Sequence, residues 1–401
     1  MAHSKDNTQF VVKAVPSSVG ASEFRQSMAP HPLVHQELPH DPSFGIYNRR
    51  LRSLEYGRVG WEDLYWRLRR QVILAHTGEL ATEIRGPDAA AVLNRVFTRD
   101  VPRIPVGRCS YQVACFADGG MIMDGILLRL APDRFWFVQA DGEFRVWLQA
   151  HSEGFDVDVV DPDVWISQVQ GPRSMDVLAQ ASDEGMPGHF RYFDSTRISI
   201  GGQPVLISRT GFTNELGWEF YFGADVDADI IGERILRAGE PHGIHTVPAA
   251  ATNTRRIEAG LLFAGTDFDG TVTPYSAGLG ALVDLEKADF IGRAALLRAD
   301  RSRLTWGLQC KAGVARHGDT LFLDGVSAGR VCSSSWSPYL ACGVAIVRLR
   351  NPKLGPGTRL QVQSVEGNPI DGEICELPMY DRTGAIPRGK CTEIPEIPVG
   401  D

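Results

Sequence analysis

The feature that most constrains the fold of this chain is a short sequence that occurs twice. Ile84-Arg85-Gly86-Pro87-Asp88 is followed by Val92-Leu93, and Val169-Gln170-Gly171-Pro172-Arg173 is followed by Val177-Leu178. In each copy a strand is predicted to end at Gly-Pro and a helix to start there, because proline in the first helical turn lacks only an N–H that the helix does not use. Two copies predict a duplicated α+β unit, with chance matching of two short segments as the alternative.

The pattern along the 401 residues divides the chain into three parts. Residues 1–45 are polar and aperiodic, which predicts a loosely ordered segment or a surface wrap. Residues 46–300 contain the duplicated unit. Residues 301–401 read as short strands separated by Gly and Pro turns, which predicts a small C-terminal β-barrel. The expected fold class is therefore α+β.

Local patterns predict two hairpins, one further strand and two helices in the middle region. The hairpins join 111–116 to 121–130 and 205–208 to 218–222, the strand spans 135–138, one helix carries Phe144, Trp147 and Leu148 on one face, and the other runs from Pro248 to about Leu262.

Charge and composition limit the classes of molecule that this chain is expected to bind. The net charge is −8 with no basic stretch, which argues against nucleic acid as a partner. The sequence contains no run of about 18 apolar residues and no secretory layout at its start, so we expect no membrane partner and a cytoplasmic location.

Cysteine and histidine usage predicts neither disulfides nor a metal site. The seven cysteines form no CxxC pair, and an odd count is a poor disulfide framework, so reduced thiols are expected. His31, His35 and His40 lie in a Pro-rich stretch that is typical of a solvated loop, because two-ligand spacing alone is a weak indication of a metal.

Asp124 is the first candidate for chemistry. Strand alternation places it on the same face as Ile122, Ile126 and Leu128. A carboxylate on an apolar face is costly unless it is paired or used, and burial there would raise its pKa. A carboxylate that meets a cationic nitrogen and one that only hydrogen-bonds the backbone of the hairpin both fit this pattern.

Glu219 and two arginines are weaker candidates from the pattern alone. Glu219 and Tyr221 alternate with Trp218 and its apolar neighbours, which favours an ordinary solvent-facing side of an antiparallel strand. Arg255 and Arg256 lie mid-helix, where a guanidinium pairs well with a carboxylate or is simply exposed. The segment Gly265-Thr266-Asp267-Phe268-Asp269-Gly270 lacks the remaining ligands of a calcium loop and predicts a turn.

Seven segments, in order, resemble the glycine-cleavage T-protein (aminomethyltransferase) superfamily of folate enzymes. They are Gly119-Gly120-Met121-Ile122-Met123-Asp124, Val169-Gln170-Gly171-Pro172, Thr210-Gly211-Phe212-Thr213-Asn214-Glu215-Leu216-Gly217-Trp218-Glu219, Arg256-Ile257-Glu258-Ala259-Gly260-Leu261, Gly265-Thr266-Asp267 through Thr273-Pro274, Asp289-Phe290-Ile291-Gly292-Arg293, and Leu377-Pro378-Met379-Tyr380. The resemblance covers roughly residues 80 to 400. It implies a three-domain ring, two related α+β domains plus a C-terminal β-barrel domain, with tetrahydrofolate in the central opening.

The resemblance also implies roles for particular residues. Glu219 matches the pterin-binding glutamate, and a carboxylate can accept two parallel hydrogen bonds from the pterin ring. Asp124 matches the catalytic aspartate near N5 or the transferred carbon. Arg256 matches an arginine that pairs with the acidic tail of folate or with an internal carboxylate, and Tyr111 and Tyr221 are weaker candidates for lining the pterin slot.

Departures from the family pattern shape the expected activity. T-proteins proper usually carry a second acid where this chain has Met123, an arginine where it has Thr252 and a glutamate where it has Ser276. The run from Arg255 to Glu258, with Phe135-Trp136-Phe137 and Trp147, looks more like the dimethylsulfoniopropionate demethylase branch. We therefore expect methyl transfer from a small S-, O- or N-methyl substrate to N5 of tetrahydrofolate. Aminomethyl transfer and a non-catalytic folate-binding role are the alternatives.

Overall fold

The fold, taken from a computed structural model, is described for residues 12–14, 28–363 and 368–398. Within these ranges the chain forms seven α-helices. They are α1 Trp61–Arg70, α2 Ala89–Val96, α3 Phe144–Ala150, α4 Ser174–Ala181, α5 Ala228–Gly239, α6 Ala249–Ala259 and α7 Arg293–Arg298. Short 3-10 turns occupy Val34–Gln36, Leu38–His40, Glu240–His242 and Gly280–Leu282.

Strands make up four sheets in the described ranges. They are β1 Val12–Ala14, β2 Ala29–Pro30, β3 Pro42–Tyr47, β4 Arg50–Tyr56, β5 Ile73–His76, β6 Leu80–Arg85, β7 Cys109–Cys115, β8 Met121–Ala131, β9 Arg134–Gln139, β10 Asp158–Val160, β11 Val164–Gln170, β12 Ser195–Ile200, β13 Gln203–Ser208, β14 Gly217–Gly223, β15 His245–Thr246, β16 Thr305–Cys310, β17 Thr320–Leu323, β18 Val326–Ser337, β19 Cys342–Leu349, β20 Arg359–Gln363 and β21 Ile370–Cys375.

The two central sheets form a sandwich with helices on its outer faces. One has the strand order β10-β6-β9-β8-β7 and the other β12-β13-β14-β11-β5-β15. The first packs its outer face against α2 and α3 around Phe135 and Phe137, and the second packs against α4 and α5 around Trp218. A separate apolar layer that includes Leu128 and Tyr221 joins the inner faces of the two sheets.

The C-terminal part is a closed barrel of six strands in the order β16-β19-β18-β17-β20-β21. Its closure removes the unpaired strand edges that short strands would otherwise expose. The prediction of an α+β fold with a C-terminal β-barrel is thus confirmed.

Both Gly-Pro junctions lie where a strand ends before a helix, as predicted. Gly86 and Gly171 have φ values of 131° and 125°, and a Cβ on either would lie 2.6 Å from a backbone oxygen, so both positions require glycine. One detail of the prediction is wrong, because Pro87 and Pro172 precede helices that begin at Ala89 and Ser174. Each proline occupies the turn that leads into the helix.

The predicted hairpins and helices are present with small shifts in their ends. The first hairpin is β7–β8 and the second is β13–β14. Helix α6 starts after Pro248 and ends at Ala259, shortly before the predicted end near Leu262, because the following Gly260 adopts a left-handed φ of 69°.

The segment 28–60 packs on the sandwich, and its strands β2, β3 and β4 form with β1 a small sheet of the order β1-β3-β4-β2. Leu33 is fully buried in the core of the six-stranded sheet, and His31 stacks on His76 with ring centroids 4.5 Å apart. Residues 1–11 and 15–27 of the predicted N-terminal segment lie outside the described residues.

Three further observations concern cysteines, metals and membranes. All seven cysteines are free thiols, and five of them are buried. Across residues 12–14, 28–363 and 368–398, no group of three or more His, Cys, Asp or Glu side chains is arranged to hold a metal ion. None of the helices in these ranges is long and apolar enough to span a bilayer.

Candidate functional site

Asp124 lies on the inner face of the five-stranded sheet, next to the apolar layer between the sheets. It is 7% exposed and opposes Val113 on the neighbouring strand β7. Tyr111, on the same face of β7, donates its hydroxyl to Oδ2 of Asp124.

The surroundings of Asp124 set its charge state. Burial raises the pKa of Asp124 to about 6, the Tyr111 hydrogen bond opposes this rise, and the negative charge of Asp267 adds to it. The carboxylate is therefore mostly ionised at neutral pH but accepts a proton far more readily than an exposed aspartate.

Glu219 lies on the inner face of the other sheet. On β14 it is in register with Gln168 of β11 and Ser208 of β13. Its Oε2 accepts the hydroxyls of Thr210 and Tyr221, the latter at 3.3 Å. Burial is also the main cause that raises the pKa of Glu219 to about 7.

The position of Glu219 differs from the interpretation that the strand pattern favoured. The pattern predicted a solvent-facing side, whereas that side of β14 faces the second sheet and Tyr221 is buried there. Alternation distinguishes the two faces of a strand, but it does not say whether water or another sheet covers the more polar one.

Tyr111 and Tyr221 hold the two carboxylates. The Tyr111 hydroxyl binds Asp124, and the Tyr221 hydroxyl contacts both Glu219 and the Ser208 hydroxyl, the latter at 3.0 Å. Both tyrosines thus belong to the candidate site as hydrogen-bond donors, and their part in lining a pterin slot stays a prediction.

A loop that connects β13 to β14 supplies Thr210 and is fixed by glutamines of β11. Gln170 donates to the Thr210 carbonyl at 3.1 Å and accepts from the Thr213 hydroxyl at 2.7 Å. Gln168 accepts from the backbone N–H of Phe212 at 3.2 Å. The sequence analysis missed these glutamines, although two of them at alternate positions of an apolar strand are a usable signal for a polar inner face.

Arg256 joins helix α6 to the barrel. Its Nη1 binds Asp267 at 2.5 Å, its Nη2 donates to the Ser333 hydroxyl at 2.8 Å, and its Nε donates to Asn253 at 3.0 Å. The internal carboxylate is therefore the partner that the structure gives Arg256, and a contact with the acidic tail of folate stays a prediction.

Arg255 is fully buried, which excludes the exposed alternative that the helix pattern left open. Its Nε donates to Glu215 at 2.7 Å, and Arg69 of α1 binds the same carboxylate. The next carboxylate of α6, Glu258, accepts the hydroxyl of Tyr380 at 2.5 Å. This network ties α6 to α1, to the loop before β14 and to the C-terminal segment.

A cavity of about 650 Å³ lies beside the strand that carries Asp124. Its walls are residues from β8 and the turn before it, from the loop between β9 and α3 with the first residue of α3, and from the turn after α6. They include Phe116, Met121, Ile122, Met123, Asp141, Gly142, Glu143, Phe144, Phe263, Ala264, Gly265, Thr266, Phe268, Asp269 and Gly270. Two of them, Ile122 and Met123, directly precede Asp124, and the turn that lines the cavity carries Asp267.

Comparison with family models gives two matches. Residues 52–287 match the GCVT N-terminal domain, and residues 303–381 match the glycine cleavage T-protein C-terminal barrel domain.

Similar proteins carry two kinds of name. The chain is 33% identical over 325 residues to trimethylamine-oxide aldolase from Ruegeria pomeroyi, a match that covers 76% of this chain and 41% of that protein. It is 33% identical over 343 residues to an aminomethyltransferase from Streptomyces avermitilis, which covers 82% of this chain and 91% of the relative. An aminomethyltransferase from Halothermothrix orenii is 32% identical over 314 residues, covering 76% and 86%.

A solved structure has the same fold. The glycine cleavage system aminomethyltransferase T from Bartonella henselae superposes with a TM-score of 0.80 at 25% sequence identity. The match covers 88% of this chain and 98% of that one.

Proposed function

Because the chain belongs to the glycine cleavage T-protein family, we propose that it is a tetrahydrofolate-dependent one-carbon transferase that moves a methyl group from a small S-, O- or N-methyl substrate to N5 of tetrahydrofolate. The observation that carries the proposal is the pair of carboxylates, Asp124 and Glu219, on the inner faces of the two sheets. Each has a tyrosine hydroxyl as donor and a pKa raised by burial.

The residues around Glu219 fit a pterin. Its Oε2 is held by Thr210 and Tyr221, while Oε1 has no hydrogen-bond donor among the described residues. A carboxylate with one free oxygen can accept from a ring N–H or amino group, and such charge-assisted bonds are the stronger kind. Gln168, in register with Glu219, offers a further amide at the same level of the sheet.

The bound folate would supply the nitrogen that accepts the one-carbon unit. Asp124 would stabilise the positive charge that develops there, because a fixed carboxylate in a dry site acts strongly on a nearby cation. Tyr111 would keep the carboxylate oriented. When a sulfonium or ammonium donor loses its methyl group, the remaining sulfide or amine is neutral and no general acid is needed. An ether donor would leave an alkoxide, so its oxygen needs a general acid.

Two side chains, one in α6 and one in the segment between α6 and the barrel, support a methyl rather than an aminomethyl donor. Thr252 stands where the aminomethyl enzymes of the resemblance keep an arginine, and its hydroxyl donates to the Ala249 carbonyl of its own helix at 3.0 Å. Ser276 stands where they keep a glutamate, and its hydroxyl is engaged with Thr273. Neither position offers a charged group to an amine.

Aminomethyl transfer is the second candidate function. The relatives from Streptomyces avermitilis and Halothermothrix orenii, which this chain covers over most of their length, are both named aminomethyltransferases. The relative from Ruegeria pomeroyi is named for a small N-methylated compound, which favours a methylated substrate over an aminomethyl donor for this chain.

The test is to incubate the purified protein with tetrahydrofolate and a panel of sulfonium, betaine-type, N-oxide, methoxybenzoate and aminomethyl donors, and to identify the folate product by mass spectrometry. We expect 5-methyltetrahydrofolate from one methyl donor, with the signal lost in Asp124→Ala. Asp133→Ala is the matched control, because it removes an exposed carboxylate from the turn between β8 and β9, at the other end of the strand that carries Asp124.

Each other outcome rejects the proposal in a distinct way. Methylenetetrahydrofolate from aminomethyl donors alone would establish the second candidate. Folate binding without turnover of any donor would establish a binding protein.

A further inference from the structure

The N-terminal hairpin β3–β4 lies mostly before residue 52, where the match to the GCVT N-terminal domain begins. Its tip consists of Asn48 and Arg49, both in the left-handed region with φ values of 54° and 59°. Asparagine tolerates this conformation better than most residues, so the tip is a tight and defined turn.

Asn48 ties the tip to two loops of the sandwich. Its backbone N–H donates to Asp141 at 2.9 Å, and its Oδ1 accepts from the Gly142 N–H at 3.1 Å. Its Nδ2 donates to the Gly78 carbonyl at 3.1 Å. Asn48 is only 8% exposed, its bond to Gly78 is buried, and its bonds to Asp141 and Gly142 are partly buried.

The loop that Asn48 holds is a wall of the 650 Å³ cavity beside strand β8. Asp141, Gly142 and Glu143 all line that cavity. Gly142 has a φ of 142°, and a Cβ there would lie 3.0 Å from the Met123 methyl group. Gln139 donates to the Gly142 carbonyl at 2.7 Å, so the loop is held from the hairpin and from strand β9.

Tyr47 supports a second wall of the same cavity. The centroid of its buried ring lies 6.0 Å from the ring centroid of Phe263, which lines the cavity. Phe263 in turn lies 6.4 Å from Phe212, whose N–H binds Gln168 beside Glu219. The hairpin thus contacts the loop at Asp141 and Gly142 and, through Tyr47, the aromatic side of the same cavity.

We propose that this hairpin determines the size of the one-carbon donor. Asn48 and Tyr47 hold two walls of this cavity in place, so that a small free donor enters while a donor carried on the arm of a carrier protein is excluded. The inference rests on the proposed function, and Asn48 acts as a positioning residue that does not touch the donor.

The test variant is Asn48→Gly, because glycine adopts a φ of 54° without strain and removes only the side chain. Arg49→Ala is the matched control on the same tip. Its ion pair with Glu143, at 2.8 Å, joins side chains that are 73% and 68% exposed, and such pairs contribute little. Tyr47→Leu is a second variant that loosens Phe263 without altering the turn.

Three readouts separate a specificity role from a loss of fold. They are amide hydrogen exchange of residues 140–143, tetrahydrofolate affinity by fluorescence, and kcat/KM for two donor pairs. The first pair is the methyl donor that the wild type uses and the same donor lengthened by a linear arm. The second is free S-aminomethyl dihydrolipoamide and the same group on a lipoyl carrier protein.

We expect Asn48→Gly to speed exchange at Gly142, to leave folate affinity unchanged and to raise the ratio of long-arm to small-donor kcat/KM by about tenfold or more, the scale on which pocket walls discriminate. Arg49→Ala should leave all three unchanged. The inference is overturned if the wild type turns over the long-arm or carrier-bound donor with the same measurable kcat/KM as the matching small donor. It is also overturned if the ratio of the two kcat/KM values is unchanged in both Asn48→Gly and Tyr47→Leu. A wild type with no transfer from any donor refutes the proposed function itself and the inference with it.

Discussion

Replacing Tyr111 with phenylalanine removes one hydroxyl from the candidate site and leaves the ring in place. In the described residues that hydroxyl has a single hydrogen-bond partner, Oδ2 of Asp124. It stabilises the ionised carboxylate and so lowers a pKa that burial has raised to about 6. Its loss should raise the pKa of Asp124 further.

The size of the effect follows from the type of bond. A hydrogen bond to a charged group contributes roughly 1.5–3 kcal/mol, and one pKa unit corresponds to about 1.4 kcal/mol. Because Asp124 is almost fully buried, little of this is screened by water. We therefore expect the pKa of Asp124 to rise by about one to two units in Tyr111→Phe.

The assay is the pH dependence of kcat/KM for methyl transfer. If the ionised form of Asp124 is the active one, the rate rises with pH through the pKa. The midpoint of this acidic limb then moves from about 6 in the wild type to roughly 7–8 in the variant. Tyr221→Phe is the control, since its hydroxyl contacts Glu219 on the other sheet.

Carbon-13 NMR of labelled aspartate reports the same pKa without turnover. If the acidic limb and the aspartate resonance of Tyr111→Phe both titrate as in the wild type, the coupling of Tyr111 to Asp124 is refuted. A limb that moves while the resonance does not would mean that the limb belongs to another group.

Glu219→Gln should weaken tetrahydrofolate binding by roughly ten- to a hundredfold, because a neutral amide replaces a charged acceptor worth roughly 1.5–3 kcal/mol. Isothermal titration calorimetry at pH 8 measures the affinity. An unchanged affinity would mean that Glu219 does not bind the pterin. Arg255→Met should lower the free energy of unfolding by about 3–5 kcal/mol, because Glu215 loses a buried partner. Urea unfolding measures this change. A decrease in the free energy of unfolding below about 1 kcal/mol would contradict the buried network. His76 has its pKa lowered to about 3 by burial, so below pH 6.5 the unfolded chain binds a proton that the native protein does not, and acidification destabilises the fold. Relative to His76→Gln, the wild type should lose about 1.4 kcal/mol per pH unit from pH 6.5 downward in urea unfolding, and parallel profiles would refute the burial of a neutral imidazole.

Local chemistry made much of the fold predictable. The Gly-Pro junctions, the β7–β8 hairpin and the start of α6 at Pro248 depend on backbone preferences that act over a few residues. The anomalous position of Asp124 was also visible, because a carboxylate interrupts an apolar alternation. The raised pKa that this predicted is present in the fold.

Contacts between distant elements were not predictable in the same way. Neither the inward side of Glu219 nor the full burial of Arg255 follows from periodicity, because each depends on what a second element places against that face. The reach of Asn48 to Asp141 spans 93 residues and leaves no local trace in the sequence. Short-range patterns locate strands and helices, whereas such sites are assembled by tertiary packing.

The environment of Asp124 also explains why a helix outside the two sheets matters to the site. The charge of Asp267 raises the pKa of Asp124, and Asp267 is fully buried in the turn after α6. Arg256 binds that carboxylate on one side and Ser333 of the barrel binds it on the other, each at 2.5 Å. A buried anion with a cation this close acts more weakly on its neighbours than an unpaired one. Arg256 therefore influences Asp124 through Asp267, so that the packing of α6 against the barrel sets part of the charge balance at Asp124.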